Sequence, residues 1–184
     1  MNQTLSASEE RMKKTINNLK DELSVLRTGR ASAALFDKIR VDYYGDKSPL
    51  NQVANISIPE ARQILIQPWD KALIGEIEKA IRTSDLSLNP NNDGKVIRIS
   101  IPPLTEQRRK ELVKMAKNQA EQSRVAIRNI RRDGNEDLKK TLKNGELTED
   151  EESRGAEDLQ KITNGYIEKI NQILAEKEKE IMED

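Results

Sequence analysis

The chain has 184 residues, 35% charged and only 3% aromatic, and its Lys+Arg and Asp+Glu totals balance at 32 each. That composition suits long helices with narrow aliphatic seams rather than one thick core, and net charge by itself names no partner. With no Cys and no His, disulfides, thiolate nucleophiles, the commonest zinc sites and imidazole base catalysis are excluded.

No apolar run approaches the roughly 20 residues that span a bilayer, and the N-terminus carries no signal or transit pattern. A cytoplasmic protein without a membrane partner is expected. Residues 1–28 read as a helix. Ser6 followed by Glu9 has capping-box spacing. Leu5, Met12, Ile16, Leu19, Leu23 and Leu26 then alternate gaps of three and four in a heptad-like seam, and Gly29 fits a helix stop.

The pattern then changes period. Ile39, Val41 and Tyr43 alternate with polar residues, as in a half-buried strand. Residues 44–49 are turn chemistry. Residues 53–58 and 62–67 are further strand candidates, separated by Pro59-Glu60. Trp69-Asp70 leads into a short helix with Leu73, Ile74, Ile77, Ala80 and Ile81 on one side. Residues 89–94 read as a loop and residues 95–101 as a last strand. These elements make a small α+β unit with its own core. Tyr43, Tyr44 and Trp69 offer either a stacking platform or, more simply, filling for this unit's core or rim.

Pro102-Pro103 closes the unit, since proline continues neither a ladder nor a helix interior. Thr105 is the expected N-cap of a long helix ending at Asn144-Gly145. Its apolar or small face runs through Leu112, Ala116, Gln119/Ala120, Ser123, Ile127, Ile130, Gly134, Leu138 and Leu142. Gly134 costs about 1 kcal/mol against alanine and marks either a bend or close packing. Thr148 with Glu151 is a capping box for a third helix. Its seam is Leu159, Ile162, Tyr166, Ile170, Ile173 and Ile181, with Ile167 and Leu174 beside it. The acidic run from Glu149 to Glu152 suits that helix's first turn, the alternative being an acidic docking site.

Three seams satisfied by one another make one bundle. The expected fold is therefore α+β: a long three-helix bundle over residues 1–29 and 105–184, discontinuous in sequence. A small, mostly β domain over residues 31–103 is inserted between helices one and two. The joining segments are hinge candidates: Thr28, Gly29, Arg30 and Ala31 on one side, Pro102, Pro103 and Leu104 on the other.

The long helix carries a second stripe. At about 100° per residue, Lys110, Lys117, Arg124, Arg128 and Arg131 fall together, with Lys114 and Arg132 to one side. The stripe reads two ways. It is either a solvated face laced with ion pairs, as Glu121 within it suggests, or a phosphate-binding edge, as the arginines at its C-terminal end suggest. With few aromatics for stacking, RNA would be bound by shape rather than by base reading. No phosphate-cradling glycine loop is present. Carboxylate pairs lie on lysine-rich helix surfaces, where nothing drives their pKa values apart.

Several stretches closely resemble the ribosome recycling factor family, and the match runs along nearly the whole chain. They are Leu26-Arg27-Thr28-Gly29-Arg30-Ala31, Tyr43-Tyr44-Gly45 with Pro49-Leu50, Pro68-Trp69-Asp70, Leu88-Asn89-Pro90-Asn91, Pro102-Pro103-Leu104-Thr105-Glu106, Arg108-Arg109-Lys110 and Arg128-Asn129-Ile130-Arg131-Arg132-Asp133. Two positions depart. Ala33 stands where the family often has proline, which loosens the first hinge segment. Gly134 stands where alanine is usual, which weakens the long helix locally.

The resemblance implies an L-shaped, tRNA-like molecule, a monomer without cofactor or metal. It implies that the bundle binds large-subunit ribosomal RNA at the subunit interface. After termination the factor acts with elongation factor G, whose GTP hydrolysis drives the subunits apart, and itself catalyses no bond chemistry. The family's RNA-contacting arginine maps onto Arg132, with Arg128, Arg131, Arg109 and Lys110 as neighbours; Lys117 and Arg124 extend the same stripe. Two readings from other classes stand beside this one. A helical adaptor would bind a protein through its seams, and an enzyme would hold a site in the cleft between domains.

Overall fold

A computed structural model describes the whole chain except Arg27, Thr28 and Asp184. The fold is α+β. Two compact units divide the chain: residues 1–27 with 106–183, and residues 28–105.

The first unit is a bundle of α1 (Asn2–Ser24), α3 (Glu106–Lys143) and α4 (Glu149–Met182). The second holds a short helix, α2 (Ile74–Arg82), and six strands among the described residues. At about 1.5 Å per residue, α3 is some 57 Å long. The seams pack on one another as their spacing demands. Met12, Ile16, Leu19 and Leu23 of α1 meet Leu112, Ala116, Ala120, Ile127, Ile130 and Leu138 of α3 and Leu159, Tyr166, Ile170 and Ile181 of α4 around one buried axis. Small residues fill the positions that long ones vacate. Ser8 and Thr163 are buried beside the apolar seams, and the Thr163 hydroxyl donates back to the Leu159 carbonyl at 2.7 Å.

The expected ends of α1 are corrected. Ser6 does not cap it: the helix starts at Asn2 with Met1 at the N-cap, so Ser6 lies inside it. Glu9 instead accepts the Tyr166 hydroxyl at 3.1 Å. The helix also stops short of Gly29. The Ser24 hydroxyl donates to the Asp21 carbonyl at 2.6 Å, and the Leu26 N–H reaches back to Leu23 at 3.2 Å, tightening the last turn. At the other boundary, Thr148 and Glu151 form the expected reciprocal capping box of α4.

In the second unit β1 (Arg40–Tyr43) and β2 (Asp46–Pro49) form an antiparallel hairpin. A separate antiparallel sheet has the order β3-β4-β6-β5, from β3 (Ala54–Glu60), β4 (Gln63–Pro68), β5 (Pro90–Asn92) and β6 (Ile97–Ser100). Ile64 opposes Ile99 and Ile66 opposes Ile97 across β4 and β6. These four side chains share one core with Phe36, Val41, Leu50, Leu73, Ile77 and Ile81.

Three stretches read as turns are more regular than expected. Tyr44 and Gly45 have φ of 50° and 93°, the pair of positive values that a two-residue hairpin turn needs. The turn therefore uses only those two residues, and 46–49 are free to pair as β2. Asp93 accepts the N–H groups of Lys95 and Val96 at 3.0 and 2.9 Å, closing a tight turn that leaves 90–92 to form β5. Pro59-Glu60 belongs to β3, where the register shifts between Ser57 and Glu60.

Tyr44 and Trp69 do not fill the core: they are 77% and 70% exposed. Alternation explains Trp69, because Ile64, Ile66 and Pro68 point inward and the next residue points out. Tyr44 sits at a turn tip, its hydroxyl donating to Asp70 at 2.9 Å. The Asp70 carboxyl lies below its ordinary range, held there by the Ala72 N–H first and then by this hydroxyl.

Candidate nucleic-acid interface

Helical periodicity puts the basic stripe on the flank of α3 that leads from the buried seam toward α4. Its members divide into two kinds. Arg124 and Arg131, on the inner side, are half-buried and held by amides of α4. Arg124 donates Nε and Nη2 to Asn171 Oδ1 at 3.0 and 2.8 Å. Arg131 donates Nη1 to Gln160 Oε1 at 2.8 Å, and Gln160 in turn donates to Asn164 at 2.7 Å. These amide acceptors are neutral and fix the geometry of both guanidiniums; Arg124 is also answered by Glu121 at 2.9 Å, so of the two Arg131 keeps its charge uncompensated.

Arg128 and Arg132, on the outer side, are exposed. Arg128 meets Glu121 at 3.3 Å. Arg132 has no ion pair or hydrogen bond among the described residues. The next residue, Asp133, is drawn the other way and paired with Arg11 of α1 at 2.9 Å. Its negative charge is thus compensated from outside the cluster, and Arg128, Arg131 and Arg132 form a positive ridge.

Toward the N-terminal end of α3 the cations are more fully answered. Arg109 donates to the Met182 carbonyl at 2.9 Å, tying the first turns of α3 to the last turn of α4. A cation there also complements the C-terminal end of the α4 dipole. Lys110 pairs with Glu106 at 2.8 Å, and Lys117 lies 3.7 Å from Glu178. Lys114 is exposed. The seven stripe residues therefore grade from a more laced N-terminal half to a C-terminal ridge in which Arg128 meets Glu121 while Arg131 and Arg132 have no carboxylate partner among the described residues. Among carboxylates on this face, Glu121 lies below its usual range, pulled down by its bond to Arg124 and then by that to Arg128. The cluster presents cations in fixed geometry, which suits anion binding rather than proton transfer.

Sequence reasoning missed Asn171 and Gln160, the residues that orient the inner arginines. They lie 47 and 29 residues from their partners, and only the register of α4 on α3 brings them close. Asn135 was also missed. Its Oδ1, one turn past Arg131 on α3, is buried without a hydrogen-bond partner among the described residues.

Of the joining-segment residues, Thr28 lies outside the described residues. Gly29 has φ 78°, and a Cβ there would lie 3.1 Å from Leu104 Cγ. The Ala31 N–H donates to the Ala61 carbonyl at 2.7 Å, and the Ile101 N–H donates to Arg62 at 2.8 Å. Both segments are thus pinned to the same β3–β4 turn. Arg30, Pro102 and Pro103 are exposed, and Leu104 is half-buried.

The family model for ribosome recycling factor matches residues 19–182. The chain belongs to the ribosome recycling factor family. A ribosome-recycling factor of Treponema denticola is 62% identical over 176 residues, covering 96% of this chain and 95% of that protein. One of Bacillus licheniformis is 55% identical over 181 residues, covering 98% of each. A solution structure of the ribosome recycling factor superposes with a TM-score of 0.78 at 45% identity, covering 100% of this chain and 97% of that one. A second solved structure describes models for the T. thermophilus ribosome recycling factor and the E. coli elongation factor G bound to the E. coli post-termination complex. It matches with a TM-score of 0.64 at 46% identity, covering 98% of each chain. Among the described residues, no helix is long and apolar enough to cross a membrane.

Proposed function

We propose that this recycling factor binds the post-termination ribosome at the subunit interface, through phosphates of large-subunit ribosomal RNA. With elongation factor G and GTP hydrolysis it promotes separation of the subunits for new initiation. The relative described on a post-termination complex with elongation factor G supports the partners. In this reading the factor works in the cytoplasm as a monomer, without cofactor, and makes or breaks no covalent bond itself.

The observation that carries the RNA contact is the ridge of Arg128, Arg131 and Arg132. Arg131 is oriented by Gln160, and Arg132 is exposed, with no ion pair or hydrogen bond among the described residues. Guanidinium forks match pairs of phosphate oxygens, and such contacts fix position without reading sequence. Arg109 and Lys110 serve this surface less directly, being engaged by Met182 and Glu106.

Arg132→Ala should weaken binding to large ribosomal subunits roughly tenfold, the loss of one charge-assisted contact worth about 1.5 kcal/mol. It should leave the fold intact within about 0.5 kcal/mol, since the side chain is exposed. The affinity of the wild type should fall steeply with salt, and the slope of the variant should be shallower by about one. Unchanged binding of the variant across the salt series would remove the ridge from this role. Salt-insensitive capture of a single ribosomal protein would favour the adaptor reading instead. We further propose that the segments near residues 28–31 and 101–104 act as a hinge through which the inserted domain does mechanical work.

A further inference from the structure

The middle of the stripe holds a carboxylate that phosphate binding alone does not account for. Glu121 lies on the same face of α3 as Arg124 and Arg128, three and seven residues before them. Its Oε2 accepts Nη1 of Arg124 at 2.9 Å, and its Oε1 accepts Nη1 of Arg128 at 3.3 Å. Asn171 already occupies Nε and Nη2 of Arg124, so that guanidinium turns its Nη1 toward Glu121. Two cations on one helix face thus converge on one anion through its two oxygens. The non-bridging oxygens of a phosphodiester offer the same unit charge and the same pair of acceptors.

We propose that Arg124 and Arg128 form a phosphate seat on the RNA-binding face, and that Glu121 is its resident counterion, displaced when an RNA phosphate docks. The proposal rests on the function argued above. The energetics favour exchange. The Glu121 and Arg128 side chains are 55% and 46% exposed, and ion pairs at such exposure contribute little net stability. Glu121 nevertheless stays ionised near neutral pH, because both arginines hold its carboxyl below the usual range. The seat is therefore filled by default rather than switched by protons. Glu121 has two effects as a positioning residue. It holds Arg128 beside Arg124 before RNA arrives, and it lowers affinity by competing for the seat, which favours release after each round.

The test is equilibrium binding of the full chain to purified large ribosomal subunits over a salt series. Glu121→Gln removes the competing charge and keeps the shape. It should bind roughly two- to fivefold tighter at low salt, the amount that an exposed ion pair resists exchange. Its salt dependence should steepen by about one, because one more net positive charge is available to neutralise RNA phosphate and release the counterions condensed on it. Glu121→Asp should behave like the wild type. Arg128→Ala should abolish the gain when combined with Glu121→Gln. Thermal melting of each variant close to the wild type establishes that the fold is retained.

Two results overturn the seat alone: Glu121→Gln binding no tighter while Arg132→Ala still weakens binding, or a gain that persists without Arg128. If Arg132→Ala is also silent and binding ignores salt, the RNA-facing role of the whole stripe fails and the seat falls with it.

Discussion

Gly134 and Gly165 are both helix-interior glycines, yet they answer to opposite constraints. A Cβ on Gly134 would lie 2.7 Å from Leu159 Cδ2 and 2.8 Å from the Ser8 hydroxyl, whereas one on Gly165 would meet nothing within 4 Å. Gly134 therefore sits where α1 and α4 press close against α3 and leave no room for a side chain. Gly165→Ala should raise stability by about 0.5–1 kcal/mol, the helix-propensity gain in open space. Gly134→Ala gains the same propensity but overpacks the three-helix contact by about 1–3 kcal/mol. It should end below Gly165→Ala in urea denaturation, and the reverse order would dismiss the packing account. The sequence showed that Gly134 needed an explanation, because a glycine on a buried face is conspicuous. It could not choose between bend and contact, since Ser8 and Leu159 enter through tertiary register. The same limit applied to the arginines of the basic stripe. Periodicity alone assembled the stripe, but which of its cations are engaged depends on where Asn171, Gln160 and Glu178 of α4 fall against Arg124, Arg131 and Lys117 of α3.

At the scale of elements, boundaries written in local chemistry were legible and those written in tertiary pairing were not. The α4 start is local: Thr148 accepts the Glu151 N–H at 3.2 Å, and the Glu151 carboxylate accepts the Thr148 N–H at 2.8 Å. Four consecutive residues suffice to specify it. Strands β2 and β5 are the opposite case. Asp46–Pro49 and Pro90–Asn92 have poor strand composition and pair only because β1 and β6 lie beside them. Thr148→Ala should cost about 1 kcal/mol of stability at neutral pH. Acid should expose the other half of the cap. The Glu151 carboxyl lies below its ordinary range, held there chiefly by the Thr148 N–H. Its folded pKa is depressed, so its contribution is complete above the unfolded value and drains away as pH falls through about 4 and then through the folded value. Glu151→Gln should therefore flatten the acid limb of stability against pH, measured by denaturation at successive pH values. Equal acid slopes in wild type and variant would remove Glu151 from that limb.

At the scale of the whole molecule, the chain leaves one unit, builds a second and returns, so two covalent segments join units that each have a core of their own. The change of hydrophobic period and the Pro102-Pro103 break made that interleaving readable. The sheet order within the inserted unit was not readable, because it depends on pairings distant in sequence. Both connectors are anchored at one place on the inserted unit: Ala31 and Ile101 bond to the adjacent residues Ala61 and Arg62. Under the hinge proposal, force passes through the few residues beyond those anchors. Pro102 and Pro103 stiffen one of them, since each fixes φ near −65° and narrows the conformations available. Replacing both by glycine would let that connector absorb rotation locally instead of transmitting it. The double variant should keep its affinity for the large subunit within about twofold, because the arginine ridge lies elsewhere and exposed connector changes perturb stability little. It should nonetheless split ribosomes markedly more slowly with elongation factor G and GTP. Hydrogen exchange in the cores of both units should match the wild type, showing that the loss is mechanical rather than a failure to fold. If affinity and splitting fall together with both cores intact, the connectors contribute to binding and the hinge proposal fails. If neither changes, force does not travel through the prolines.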